Sequence, residues 1–382
     1  MAIPANDALS CSSGGRIAAG RHFVSAFWRN LARGFTEITP SGVKPYHGLL
    51  AYSGMGVDQV SGKIYFDGGG HNDYSGEDPW EFDYENRLPM VPHYAPWVYQ
   101  GMPLEDARAL RDNINWPGAL MSGGLPVRPI SRHTYKSVHW VDSLKQLLVG
   151  GGSTFGGNGD YLWYHEDTGA GAWWNAPNDY WGYSPTPKIW TYRGSKLKTP
   201  SYDIQGSQHI YCREIDRIFA LAQNGNNQLK VVEHHPQNNT WIPRINRADP
   251  FYTDVVGCYD STRNKLILLC VNNYLGTAPY VLEYDVTTDT YTELVTTGPM
   301  PTGWYSGSGM VYSPVTHTCL FLQPGTGLIQ KLNLNTLVWS SEAHGLPNLN
   351  QVEGRWVFDT WRNVALLAYV DSLDVRVFAY KE

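Results

Sequence analysis

Apolar positions in this chain fall into short runs with no helical spacing, and the runs recur in a fixed order. The clearest unit is GCYDSTRNKLILLCVNNYLGTAPYVLEYDVTTDTYTEL, residues 257–294. It reads as a short strand, a polar turn, an apolar strand, a Gly- and Asn-rich loop, a third strand, a second polar turn and a closing aromatic segment. GMVYSPVTHTCLFLQPGTGLIQKLNLNTLVWSS repeats the order at 309–341, and IYCREIDRIFALAQNGNNQLKVVEHHPQNNTW at 210–241. Further copies are LAYSGMGVDQVSGKIYFDGGGHNDYSGEDPWEFD at 50–83 and VHWVDSLKQLLVGGGSTFGGNGDYLWYHEDTGAGAWW at 138–174. The last copy, GRWVFDTWRNVALLAYVDSLDVRVFAYKE at 354–382, stops after its third strand.

Each unit predicts a four-stranded meander that is apolar on both faces. One such sheet cannot bury both faces alone, so the units must stack radially. The expectation is an all-β chain, residues 1–382, folded as a single β-propeller with six legible repeats. The strand missing from the last copy is expected from RGFTEITP, residues 33–40, which would close the ring and remove an open edge. Two segments interrupt the pattern, at about 91–131 and 175–200, both rich in Pro, Trp, Tyr and Gly. They are expected as long rim loops forming the walls of a cleft, with LEDARALRDNI at 104–114 as a short helix. Either one has room to hide a seventh unit.

Composition narrows the function. Aromatics at 13% and 39 glycines favour strands and tight turns, and 17% charged residues leave little for solvated helices. A net charge of −6 argues against a general nucleic-acid binder. No apolar run has membrane-spanning length, and the first residues, MAIPANDALSCSSGG, lack the pattern of a signal peptide. The five cysteines, an odd number without CxxC spacing, form no legible disulfide framework.

Candidate chemistry gathers at a few places. In KIYFDGGGHND an apolar strand runs into three glycines and then His71, Asn72 and Asp73. Glycine permits backbone angles closed to other residues and removes bulk, so the turn reads as one that presents His71. SRHTYKSV, 131–138, reads as the inner strand of the next unit, with Arg132 and Thr134 on one face and His133 and Tyr135 on the other. Arg355, in EGRWVFD, is expected toward the channel or a neighbouring sheet. SYDIQGSQHIYCREID offers Tyr202, His209, Cys212 and Arg213. His209 and Cys212, with His234 or His235, form a weak zinc candidate, since the spacing matches no standard finger. His93 lies in the first long segment. The plain alternatives are a turn histidine bonded to its neighbours for His71, a structural network tying sheets together for SRHTY, and a salt bridge between sheets for Arg355.

GGGHNDYSG with WEFD, SRHTY and the closing EGRWVFDTWRNVALLAYVDSLDVRVFAY, in that order, resemble kelch-like propellers of bacteria and phages, similar to the ulvan-lyase type of polysaccharide lyase. The resemblance covers the chain from about residue 46 onward. It implies seven blades, and β-elimination on an anionic, uronic-acid-containing polysaccharide. By motif it implies His71 and Tyr135 as the catalytic pair and His93 as a second histidine. It also implies a structural zinc of the kind some members hold, with no cofactor required for catalysis, and a secreted or phage-borne protein. The family's arginine after the tyrosine is missing from GGGSTFGGNGD, so Arg132, Arg213 or Arg355 would have to substitute.

The implied chemistry has three needs: a base for the C5 proton, donors that stabilise the charge growing on the carboxylate, and an acid for the leaving O4. His71 and Tyr135 are expected to divide acid and base, His133 stands beside them, and Arg132 or Arg355 with Asn72 would hold the carboxylate. Tyr202 and Arg213 are further substrate contacts, and Trp97, Trp116, Trp181 and Trp190 are candidates for stacking on sugar rings. The alternative is a noncatalytic propeller binding glycan or protein, as in a phage adhesin. A copper oxidase would need a Tyr–Cys crosslink near two histidines, which no cysteine here is placed to make. A sialidase would show SxDxGxTW boxes, which are absent.

Overall fold

A computed structural model describes residues 24–382 apart from 43, 46, 51–52, 69–78, 94–133, 151–178, 196–202, 224–227, 251–253, 273–276, 303–306, 347–348, 350–351, 353 and 372–373. Among the described residues there are six four-stranded antiparallel sheets, which make a single β-propeller. Their inner strands are Met55–Asp58, Val138–Val141, Asp203–Cys212, Asp254–Asp260, Gly309–Ser313 and Trp356–Asp359, and they number sheets one to six. Five sheets are simple meanders. Sheet six takes its outer strand from Gly34–Glu37, which pairs antiparallel with Asp374–Lys381 in the register Gly34 to Lys381.

The seven blades implied by resemblance are corrected to six. Inner strands of consecutive sheets pack directly on each other from sheet one to sheet six. The ring then closes by Met55 N–H donating to Gly354 O at 2.8 Å. No gap between neighbours is left for another sheet. The expected rim loop at 175–200 is also corrected: Asp179–Ser184 and Ile189–Ser195 are the third and outer strands of sheet two. Trp181 and Trp190, expected to stack on sugars, are 4% and 3% exposed and fill the core between sheets one and two.

One turn chemistry recurs on one face of the ring. In a meander, the first-to-second and third-to-outer connections lie at the same end. Asp58, Asp260 and Asp359 each accept two backbone N–H groups of the turn that follows, and so do Asp285 and Asn333. The turns finish in left-handed backbone, at Asn264 (φ 59°), Asp289 (φ 58°), Leu337 (φ 57°) and Asn363 (φ 53°). An Asx side chain replaces the backbone partners the turn lacks, and Asn and Asp tolerate the left-handed region.

The core lies between the sheets as six clusters, one per seam. The closing seam, six to one, adds a buried polar network to its aliphatic packing. Arg362 donates to Glu85 Oε2 (2.6 Å), Asp359 Oδ2 (2.8 Å), Gln59 O (2.9 Å) and Tyr84 Oη (3.1 Å). The Tyr84 hydroxyl donates to Asp359 at 2.7 Å, and Trp28 from the short helix Ala26–Arg29 packs edge-on against the Tyr84 ring.

Candidate functional site

The candidate site is the end of the ring opposite the tight turns, where the second strands end and the inner strands begin. His71, Asn72, Arg132, His133 and Tyr202 lie outside the described residues, as do Trp97 and Trp116. The chain on either side of them is described. The second strand of sheet one, Lys63–Phe66, leads into Asp67 and then Gly68, whose φ of 141° is ground for glycine. Buried Thr134 stands between the neighbouring strand starts. Its Oγ1 accepts from Gly54 N–H at 3.0 Å and donates to Asp67 O at 3.4 Å. The segment that leads to His71 is thereby tied to the residue just before Tyr135.

Tyr135 does not lie on a regular strand, which corrects the alternation expected for SRHTY: the inner strand starts at Val138. Its backbone is left-handed, φ 48°, a conformation that bulky side chains rarely adopt. Its carbonyl sits where three sheets meet. A Cβ at Gly54 would come within 2.9 Å of Tyr135 O, and one at Gly354 within 2.2 Å, so both positions must be glycine for the junction to form. Lys136 follows, buried, and lines the central channel.

That channel has a volume of about 180 Å³ and is lined by inner-strand residues of all six sheets. Lys136 and Ser308 lie toward the candidate end, and Gln59, Arg213 and Thr360 toward the turn end. Arg213, a candidate substitute for the missing arginine, belongs to the turn end. It pairs with Asp142 and donates to Val57 O at 3.3 Å, tying sheet three to sheets two and one. Four residues of inner strand, about 13 Å, separate it from the level of Tyr135. Arg355 is 3% exposed, and its neighbours Gly354 and Trp356, but not Arg355 itself, line the channel.

His93 does not rise over a cleft. It ends the outer strand of sheet one, Val91–Pro92, and its N–H donates to Pro79 O at 3.0 Å. Both ring nitrogens are engaged, Nδ1 with Tyr183 Oη at 2.5 Å and Nε2 with Glu81 Oε2 at 3.1 Å. Burial opposes the Glu81 charge, yet hydrogen bonds from His93 and Lys63 outweigh it and lower its pKa to about 2. Burial and Glu81 together push the Tyr65 phenol well above its ordinary value. This carboxylate–imidazole–phenol chain, absent from the sequence reading, was signalled only by the alternation in WEFD and in the Trp- and Tyr-rich segment after residue 178. Three strand spacings, about 14 Å, set it away from the inner strand of its sheet.

The zinc candidates are not brought together. Cys212 shares the face of sheet three that packs on sheet four, in one cluster with Ile210, Phe219 and Leu268. His209 and His234 occupy the opposite face: both rings lie against Tyr180 of sheet two, at 6.4 and 5.1 Å. A spacing of three along a strand puts His209 and Cys212 on opposite sides, which is the physical reason the expectation fails. His234 is further held by Asn239 at 3.0 Å and stacked on Trp241 at 4.2 Å. Among the described residues, no three His, Cys, Asp or Glu side chains are grouped to hold a metal ion. Compared with known proteins, the sequence matches no family model and no curated protein.

Proposed function

We propose that this propeller is a polysaccharide lyase that cleaves a uronic-acid-containing glycan by β-elimination at the face opposite the tight turns. The observation that carries the reading is the Thr134 bridge, which joins the chain leading to His71 to the chain at Tyr135. A left-handed tyrosine, one residue from the tie to Asp67, is the kind of local cost retained where a side chain must be aimed. In the proposed step, one of the pair removes the C5 proton and the other protonates O4 as the C4–O4 bond breaks and the C4–C5 double bond forms. Lys136 and Arg132 are the cations nearest in sequence to Tyr135. His93, engaged at both nitrogens in the outer wall, supports the site and does not act on the same bond.

The test is ultraviolet absorbance of the unsaturated uronate during incubation with a panel of uronic-acid polysaccharides. Tyr135→Phe and His71→Ala are each expected to lower turnover by about 10²- to 10⁴-fold with an unchanged thermal melt. Near-wild-type rates in either variant would remove that residue from the chemistry. Saturable binding across the panel with no unsaturated product would replace the lyase by a noncatalytic glycan-binding propeller.

A further inference from the structure

Cys258 and Cys319 meet across the seam between sheets four and five. Cys258 is on the inner strand Asp254–Asp260 and Cys319 on the second strand Thr318–Leu322 of the next sheet. Their sulfurs are 3.4 Å apart, both are buried as free thiols, and they are 61 positions apart in sequence. The two are not equivalent. Cys258 is among the residues that line the central channel and is 4% exposed, whereas Cys319 is one layer further from the channel and has no exposed surface. The Arg263 guanidinium and the Tyr312 phenol lie within electrostatic reach of Cys319, and Asp260 and Cys212 within that of Cys258.

We propose that Cys258 and Cys319 form a peroxide-driven dithiol–disulfide site that fastens sheet four to sheet five from inside the ring. A small peroxide enters the channel and the Cys258 sulfur attacks it. An S–O bond forms, the O–O bond breaks, and the departing hydroxide takes the thiol proton as water. The Cys319 sulfur then attacks Cys258. The S–S bond forms, the S–O bond breaks, and the second hydroxide leaves as water with the Cys319 proton. Two thiols are oxidised and one peroxide is reduced to two waters. The assignment of roles follows from position: the cysteine at the channel wall is oxidised first, and the one behind it resolves the sulfenic acid. Burial pushes the Cys258 thiol well up, so the rate rises with pH.

The two other described cysteines are controls. Each sulfur contacts a carbonyl oxygen two residues earlier on its own strand, Ile210 for Cys212 and Leu268 for Cys270. The experiment treats the full chain with hydrogen peroxide and maps peptides without reduction. The expected product is one linked peptide pair containing Cys258 and Cys319, lighter by two hydrogens and reopened by dithiothreitol. Cys319→Ser should leave Cys258 as a sulfenic acid, trapped when the oxidised protein is unfolded in the presence of dimedone, while Cys270→Ser should leave the crosslink intact. The linked protein should melt above the reduced one. Both thiols remaining free after peroxide, separate sulfinic acids in the wild type, a link from Cys258 to Cys212 or Cys11, or a lower melting temperature would each overturn the proposal. The wild-type map needs no variant, so a misfolded substitution does not blunt the test.

Discussion

Between sheets four and five, Val256, Ile267, Leu269, Met310, Phe321 and Leu332 interlock around the two thiols. Between sheets two and three, Val141, Leu148 and Ile218 share the space with His139, His209, His234, Tyr180 and Trp241. The first seam is held by non-directional burial and depends on volume. The second is a line of rings running outward from the channel: His139 on His209 at 6.0 Å, then Tyr180, then His234 stacked on Trp241. Rings with polar edges must meet partners at set angles, so this seam depends on geometry. The seam between sheets one and two has the same character, with Tyr65 stacked on Trp140 at 5.0 Å and the Glu81–His93–Tyr183 chain behind it. Thr134 and Tyr135 adjoin the directional seam between sheets one and two, and the closing seam adds its own Arg362 network, whereas sheets four and five meet as plain scaffold.

Substitution tests that contrast directly. Leu269→Ala in the aliphatic seam should cost about 3 kcal/mol in urea denaturation, because a fully buried leucine leaves a cavity its neighbours only partly close. In the directional seam His93→Ala should cost about 2 kcal/mol, since it strips a partner from both Glu81 and the buried Tyr183 hydroxyl. Equal losses that vanish when volume is restored with His93→Leu would show that both seams run on volume alone.

Acid should separate them too. Glu81 has a folded pKa lowered to about 2 from 4.5, so its contribution is fully present above the unfolded value and is lost as pH falls from 4.5 toward 2. That amounts to at most about 3 kcal/mol, less what solvent screening removes. Stability measured across this window should fall in the wild type and fall less steeply in Glu81→Gln. Parallel curves would assign the acid sensitivity elsewhere. The smallest effect is expected at Leu337, where a left-handed leucine closes a turn of sheet five. Leu337→Gly should raise stability by up to about 1 kcal/mol by relieving that backbone, read as a small rise in the urea midpoint.

Legibility followed the same division. The scaffold half was readable because aliphatic strands separated by Asx turns keep a strict order, so 257–294 and 309–341 gave sheets four and five almost residue for residue. The strand 34–37 was readable because the last repeat lacked a partner for its third strand. Sheet two was misread. DYLWYHEDTGAGAWW has the polar-turn-aromatic look of an outer hairpin, but DYWGYS and IWTYRGS, seeded with Gly and flanking a Pro-rich turn, supply those strands. Burial of aromatics on both faces there hides the alternation that marks a strand. Of the His71 and Tyr135 segments, the described part ties Thr134 to Asp67 O, and His71 itself lies outside the described residues. The turn-face position of Arg213 and the opposed faces of His209 and Cys212 follow from parity and strand direction, which a list of residue types does not display.

The bonds from Arg362 to Gln59, Tyr84 and Glu85 have a consequence in time. They join the first sheet to the last, as does the bond from Met55 N–H to Gly354 O. During synthesis the apolar flank of Val57, Phe66 and Phe82 stands uncovered until residues 364–377 have left the ribosome, because Val364, Leu366 and Val377 cover it. A chain cut short before residue 362 would be a ring that never shuts, with one flank open to aggregation.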